Sequence, residues 1–354
     1  MVFLGGCSLR VEDCSPAEGE IVNLLNDEIR EWLTDYVQCD STISGHLENR
    51  STMKDVVLSW KEIPGAEYYV VRILDEDEKD EPLLLDTTTP SLNLGGLVPG
   101  QDYSWWVGAV GKSGRLKFSR KMRFHVEDTP FLVSIEGVDN TRDIGGYPCD
   151  GGHIRRGVLY RGGRMNTSDS TLITPEGILY CRDGLGIVTD FDLRSGSSSQ
   201  SSETGGIVES PLGPDVRYVN ISTPVYSQMF LPEWKDAVVN LISALADPEA
   251  YPAYIHCSLG RDRTGLTCWI IETLCGVSWE DTCIDYELSF FSQVGKLDPT
   301  PVWIMHQQID PVARRIGEYV PGGTLRDNLE KFLIDLGTKP EDIASIREIF
   351  IEKD

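Results

Sequence analysis

The stretch Tyr254-Ile255-His256-Cys257-Ser258-Leu259-Gly260-Arg261-Asp262-Arg263-Thr264-Gly265 constrains this chain more than any other. The apolar run Ala253 to Ile255 reads as a short buried strand that ends at His256-Cys257. Gly260 lets the chain turn tightly, and an apolar helix is expected from Leu266 to Leu274. A strand, a tight loop and a helix start bring several backbone N–H groups around one point, with the positive end of a helix dipole behind them. A cysteine held there ionises readily and attacks as the thiolate. Arg263 can curl over the same point and present a planar fork to two oxygens of a phosphate. Thr264 can hydrogen-bond the thiolate or cap the helix, and Ser258, Leu259, Gly260 and Arg261 line the cradle. These residue types in this order point to in-line attack on a phosphoester through a cysteinyl-phosphate. Loop amides and Arg263 would hold the equatorial oxygens, and the chemistry requires neither metal nor other cofactor.

Composition narrows the partners. A formal charge of −24 argues against nucleic acid and against non-specific docking on anionic lipid. A phosphate site in such a chain has to build its own local positive potential. Nine cysteines without CxxC or zinc spacing argue against a metal site and a disulfide framework, and the odd count leaves a free thiol. At 354 residues, 40% of them hydrophobic, the chain suits two or three domains with sizeable cores and carries no apolar run of spanning length.

Residues 1–19 read as an N-terminal segment and tether. Leu4-Gly5-Gly6-Cys7 resembles the lipidation box of a bacterial lipoprotein, which implies export and attachment to an envelope membrane through Cys7. Glu20 to Tyr36 carries apolar residues near a helical period and is expected to pack as a helix. Across Lys54 to Val126, alternating residues such as Tyr69, Val71 and Ile73 are broken at Pro64-Gly65, Pro99-Gly100 and Ser113-Gly114, the pattern of a small antiparallel sandwich. Trp60, the Gly65-Ala66-Glu67-Tyr68 run and the Leu97-Val98-Pro99-Gly100-Gln101-Asp102-Tyr103 corner resemble a fibronectin type III domain. The resemblance implies a spacer or interaction module over residues 20–126, with a protein or a glycan as partner. Of Trp105 and Trp106, one faces the core and the other stands where it could meet a sugar or a cross-strand neighbour.

From 127 to 354 short strands alternate with helical stretches, which favours an α/β domain with a central sheet flanked by helices. Strands are expected at Gly157–Tyr160, Gly186–Leu193, Arg217–Ile221 and Ala253–His256. Helices are expected from Pro175 to Arg182 (N-capped by Thr174, with Gly184 past its end), Pro232 to Leu245, Ser278 to Phe291, Thr324 to Leu336 and Pro340 to Ile351. Ser195 to Gly206, rich in Ser and Gly, reads as a loop.

The motif His256-Cys257-x-x-Gly260-x-x-Arg263-Thr264-Gly265 resembles that of the protein tyrosine phosphatase superfamily. Asn140-Thr141-Arg142-Asp143-Ile144-Gly145-Gly146, Leu159-Tyr160-Arg161-Gly162 and Asp192-Leu193-Arg194-Ser195 resemble signatures of its bacterial tyrosine-phosphatase-like branch. The resemblance runs from about Phe131 to the C-terminus. It implies hydrolysis of phosphotyrosine, phosphoserine/threonine or phosphoinositides. The branch usually has lysine at position 261 and alanine at 259, where this chain has Arg261 and Leu259. It also has a serine after the arginine where Gly162 stands, so substrate preference is the open question.

A leaving tyrosinate or alkoxide needs a proton from a nearby carboxylic acid. Asp192 at the end of an apolar strand and Asp262 inside the loop both qualify, as do Glu233 and Asp236 further along. Arg161 and Arg194 terminate strand-like runs, where they either add positive potential at the phosphate or pair with aspartates such as Asp143. Arg142 and Asp143 read as braces for the loop, His256 as a residue that orients it, and Trp269 and Trp279 as core. A protein that recognises phosphate without turning it over, or an adhesion protein, is the alternative of another class.

Overall fold

The computed structural model describes residues 11–34, 52–76, 81–196, 202–294 and 307–353. The Leu4–Cys7 box and part of the Ser195–Gly206 loop lie outside them. The chain forms two units, one of Met1–Asn26 with Met53–Thr129 and one of Asp27–Thr52 with Pro130–Asp354.

The first unit is built from two sheets. Val56–Ser59 pairs antiparallel with Ser91–Leu94. The larger sheet runs in the order Glu20–Val22, Met122–Val126, Asp102–Gly111, Ala66–Asp75, Leu83–Thr87, with Leu116–Phe118 also on Asp102–Gly111. Period-2 alternation sends Tyr69, Val71 and Ile73 inward from one strand and Tyr103, Trp105 and Val107 from its neighbour. They meet Val56 and Leu58 of the small sheet in one core. Trp60 lies edge-on to Tyr69, 5.2 Å between ring centroids, and 6.1 Å from Trp105. Full burial of such a side chain stabilises by about 2–3 kcal/mol. The Leu97–Tyr103 corner is closed by the Val98 N–H donating to Tyr103 Oη at 3.0 Å. Trp105 is the core member of its pair, its Nε1 donating to Pro16 O. Trp106 is half-buried under the Lys121 ammonium, 5.2 Å from its ring centroid.

The helix expected from Glu20 begins only at Asp27 and ends at Thr34. Glu20–Val22 instead adds a parallel strand to Phe124–Val126. Its alternation is too short to separate from a helical period by pattern alone.

The centre of the second unit is a five-stranded sheet in the order Arg217–Asn220, Thr189–Asp192, Ala253–His256, Leu159–Gly162, Arg142–Asp143. The first four strands are parallel and the last is antiparallel. Every residue of the three middle strands is buried, as a parallel sheet covered on both faces requires. Asp192, His256 and Gly162 lie at one level in the register, so three strands end together at the edge where α/β sheets hold ligands.

From His256 the chain turns into Asp262–Cys275, a helix buried on all sides from Thr264 onward and packed against Trp279–Glu287, Leu325–Leu336 and Pro340–Phe350. It starts four residues before the expected Leu266, because its first turn carries the polar residues that face the loop. The Pro175 helix, capped by Thr174, passes at Tyr180 into a wider π turn that includes Gly184. The Ser278 and Thr324 hydroxyls cap the helices expected after them. The stretch from Pro232 opens as a 3-10 turn before its helix proper at Lys235. Trp269 is buried, but Trp279 is 38% exposed at its helix start and is not core. Trp32 of the Asp27–Thr34 helix packs on Phe291, 5.2 Å between centroids.

Candidate active site

The loop after His256 is held from outside by its carbonyls. Ser258 O accepts from Arg164 N at 3.3 Å, Leu259 O from Asn140 Nδ2 at 2.9 Å, and Gly260 O from Arg161 Nη2 at 2.8 Å. In a planar trans peptide the N–H points opposite to the C=O. The amides of Leu259, Gly260 and Arg261 therefore turn to the other side, toward the concave face of the loop. The start of the Asp262–Cys275 helix adds its own unpaired donors.

Glycine is required twice. Gly260 has φ +72°, and a Cβ there would lie 2.4 Å from the Gly162 carbonyl. At Gly265 a Cβ would lie 2.6 Å from the ring of Tyr286.

Cys257, buried, sits at the rim of this cradle. Arg263 leaves the first helical turn and is gripped by Glu203, with Nη1 to Oε2 at 2.7 Å and Nη2 to Oε1 at 3.1 Å. That pairing takes the end of the guanidinium and leaves its Nε edge for another anion. Hydrogen bonds from Arg263 hold the Glu203 carboxyl below the usual range. Thr264 does not cap the helix: Arg261 occupies that position, and the buried Thr264 Oγ1 has no hydrogen-bond partner among the described residues.

Three expected site residues have other tasks. Asp192 is 0% exposed. It accepts from Arg194 Nε at 2.9 Å, Arg194 Nη2 at 2.7 Å and Tyr218 Oη at 2.9 Å. Burial raises its affinity for a proton, but His256 and Arg194 outweigh that and hold the carboxyl below its ordinary range. A sealed, ionised carboxylate is a poor proton donor, so Asp192 is corrected from candidate acid to structural ion pair. Arg194 is its buried partner and also reaches Asn166 O and Glu203 O, so it does not line the cradle. Arg161 is equally buried. It braces the loop through Gly260 O and pairs with Asp285 rather than with Asp143. Asp285 also takes Arg142 Nε at 2.8 Å, and Arg142 Nη1 holds Asn140 Oδ1 at 2.7 Å, completing a brace behind the loop. Asp143 accepts the Gly145 and Gly157 amides, and burial pushes it up to about 6.

Asp262 is different. Its side chain is 28% exposed at the loop, and its Oδ1 accepts from Arg261 Nε at 3.0 Å and from the Tyr226 hydroxyl. Glu233 and Asp236 stand exposed on the surface. Glu203, Asp285 and Tyr226 are site residues that no sequence signal named.

His256 is buried between Asp190, 3.0 Å from Nε2, and Asp192, 3.9 Å from Nδ1, with Nδ1 also 3.1 Å from Cys257 O. Burial opposes its charge, yet Asp192 and Asp190 override that and push it up to about 9. A raised folded value stabilises fully below the unfolded value near 6.5 and is lost as pH climbs through 9. Chemical denaturation is expected to lose about 3 kcal/mol of stability between pH 6.5 and 9.5. In His256→Gln that slope should flatten; an unchanged slope would assign it elsewhere.

No group of three or more metal-binding side chains occurs among the described residues. No described helix is long and apolar enough to cross a membrane.

Residues 133–294 match a family model described as the tyrosine phosphatase family. A Cupriavidus necator protein provisionally named a tyrosine-protein phosphatase is 26% identical over 186 residues, 46% of this chain and 67% of that protein. Among solved structures, the core catalytic domain of the PP-IP phosphatase SIW14 from S. cerevisiae aligns over 47% of this chain and 90% of its own, at 15% identity and a TM-score of 0.28. The fn3 domain of the human collagen alpha-1(XX) chain aligns over 22% of this chain and 74% of its own, at 26% identity and a TM-score of 0.20. The family match and the Cupriavidus relative support phosphoester hydrolysis.

Proposed function

We propose that the unit containing residues 130–354 is a protein-tyrosine-phosphatase-like enzyme that hydrolyses phosphomonoesters through a cysteinyl-phosphate. The observation that carries this reading is the bracing of the Ser258, Leu259 and Gly260 carbonyls, which turns the Leu259, Gly260 and Arg261 amides away from their braces in the loop that follows Cys257. The Cys257 thiolate attacks phosphorus in line as the bond to the leaving oxygen breaks. Asp262 donates a proton to that oxygen, and the loop amides with the Nε edge of Arg263 hold the equatorial oxygens. Water then attacks the phosphocysteine, Asp262 takes its proton, and inorganic phosphate and the thiolate are released.

Phosphotyrosine is the substrate we infer first, because the matched family supports it. A phosphoinositide or inositol phosphate is the second reading, favoured by Arg261 beside Arg263 in an acidic chain. The first unit fits a fibronectin type III-like spacer or interaction module, supported by buried Trp60 and the Tyr103 corner.

The test is phosphate release from a phosphotyrosine peptide, a phosphoserine peptide, phosphoinositides and inositol hexakisphosphate, with wild type and Arg261→Lys. Release from the tyrosine peptide is expected. Because lysine loses the planar fork, Arg261→Lys should cut turnover of multiply phosphorylated substrates about tenfold and of the tyrosine peptide about threefold or less. No release from any substrate between pH 5 and 7 would overturn the enzyme reading in favour of recognition without turnover.

A further inference from the structure

We propose that Tyr226 is the positioning residue of the catalytic acid, its hydroxyl clamping one oxygen of Asp262 so that the other carries the transferred proton. The proposal rests on the reading of Asp262 as that acid. Tyr226 has φ +47°, a left-handed conformation that a bulky aromatic residue adopts only when its surroundings demand it. The turn it opens, Tyr226–Phe230, is pinned by Val225 N donating to Gln228 Oε1 at 3.2 Å and by buried Met229. The strained backbone sends the ring toward the loop, where the hydroxyl meets Asp262 Oδ1 and, at 2.6 Å, the hydroxyl of Tyr286.

A phenol that donates to a carboxylate has its oxygen free to accept. The chain therefore runs in one direction, Tyr286 to Tyr226 to Asp262. Tyr286 is itself buried, with its ring against Gly265. Burial first, then the neighbouring Tyr286 and Asp262, push the Tyr226 hydroxyl far above its ordinary value, so it remains a donor at any working pH.

Arg261 Nε donates to the same Oδ1 at 3.0 Å. Both bonds to Asp262 end on one oxygen, and Oδ2 is left to hold the proton. Among the described residues, the charged and titratable groups that act on Asp262 include Arg261 and Arg263 from its own loop and helix start, Tyr226 from the turn and Tyr286 from the Trp279–Glu287 helix.

The experiment compares Tyr226→Phe and Asp262→Asn with wild type on aryl phosphates graded from 4-nitrophenyl to phenyl, with pH profiles and melting curves. A poor leaving group needs the proton, so Tyr226→Phe should lower kcat about tenfold on phenyl phosphate and about twofold or less on 4-nitrophenyl phosphate, with KM unchanged. An equal loss on all substrates would reduce Tyr226 to a structural contact and overturn the proposal. Should Asp262→Asn itself fail to steepen the leaving-group dependence, the assignment of the acid falls. If Asp262→Asn steepens it and Tyr226→Phe does not, only the role of Tyr226 falls. Tyr286→Phe, which keeps the ring against Gly265, should reproduce the Tyr226→Phe pattern at smaller size if the directed chain holds.

Discussion

Cys257→Ser is expected to lower kcat on an aryl phosphate by about four orders of magnitude or more, as loss of a covalent nucleophile does in other enzymes. The change is nearly isosteric at a buried position, so the loop keeps its shape. None of the contacts that set the amide directions involves the sulfur: Arg164, Asn140 and Arg161 hold the carbonyls of the three following residues. Phosphate binding should therefore survive, and so should the melting temperature, to within about 2 °C. What disappears is the thiolate, since a serine hydroxyl is not ionised at neutral pH. Calorimetric titration with phosphate and a stopped assay on the same preparation separate the two properties. Binding with no turnover in the serine variant, set against turnover in wild type, supports a phosphocysteine. Unchanged turnover in the serine variant would remove Cys257 from the mechanism.

What could be read from the chain alone follows from how far each interaction reaches. The strand, glycine turn and helix start around Cys257 were legible because they are consecutive, and Cys257 and Arg263 lie six residues apart in the same segment. The four parallel strands were legible to within a few residues, three of them because strands buried on both faces hold mainly apolar runs, whereas the antiparallel edge strand Arg142–Asp143 was not. The supporting charges were not. Arg161 meets its carboxylate 124 residues later and Arg142 meets the same one 143 residues later, and nothing near Asp285 marks it as their shared anion. Glu203 reaches Arg263 from a stretch whose Ser and Gly content signals only a loop. Tyr226 is an ordinary aromatic in sequence and becomes unusual only through its backbone conformation. For the same reason Asp192 misled. A carboxylate at a strand end looks the same in sequence whether it faces a ligand or an arginine two residues on.

Asp285→Ala should be the most destabilising substitution behind the loop, at about 3–5 kcal/mol, because it leaves two buried guanidinium groups without their common anion. Arg142 and Arg161 are both almost wholly buried, and each loses a charged partner at once. For a unit of this size that corresponds to a fall in melting temperature of about 6–20 °C. The damage should also reach the chemistry. Without Asp285 the guanidinium of Arg161, which holds Gly260 O, loses its ion-pair partner, so the Arg261 amide loses its aim and KM for phosphoesters should rise. Asp285→Asn keeps an acceptor but not the charge and should fall between. The neighbouring Glu272 supplies the contrast. It is fully buried, and burial together with the Asp285 charge pushes it well above the carboxylate range. Burial that favours the neutral acid makes a neutral amide a close replacement, so Glu272→Gln should cost about 1 kcal/mol or less. Urea denaturation of the three variants orders them. If Glu272→Gln proves as damaging as Asp285→Ala, then Glu272 carries a charge of its own and the two arginines are shared between two anions rather than held by one.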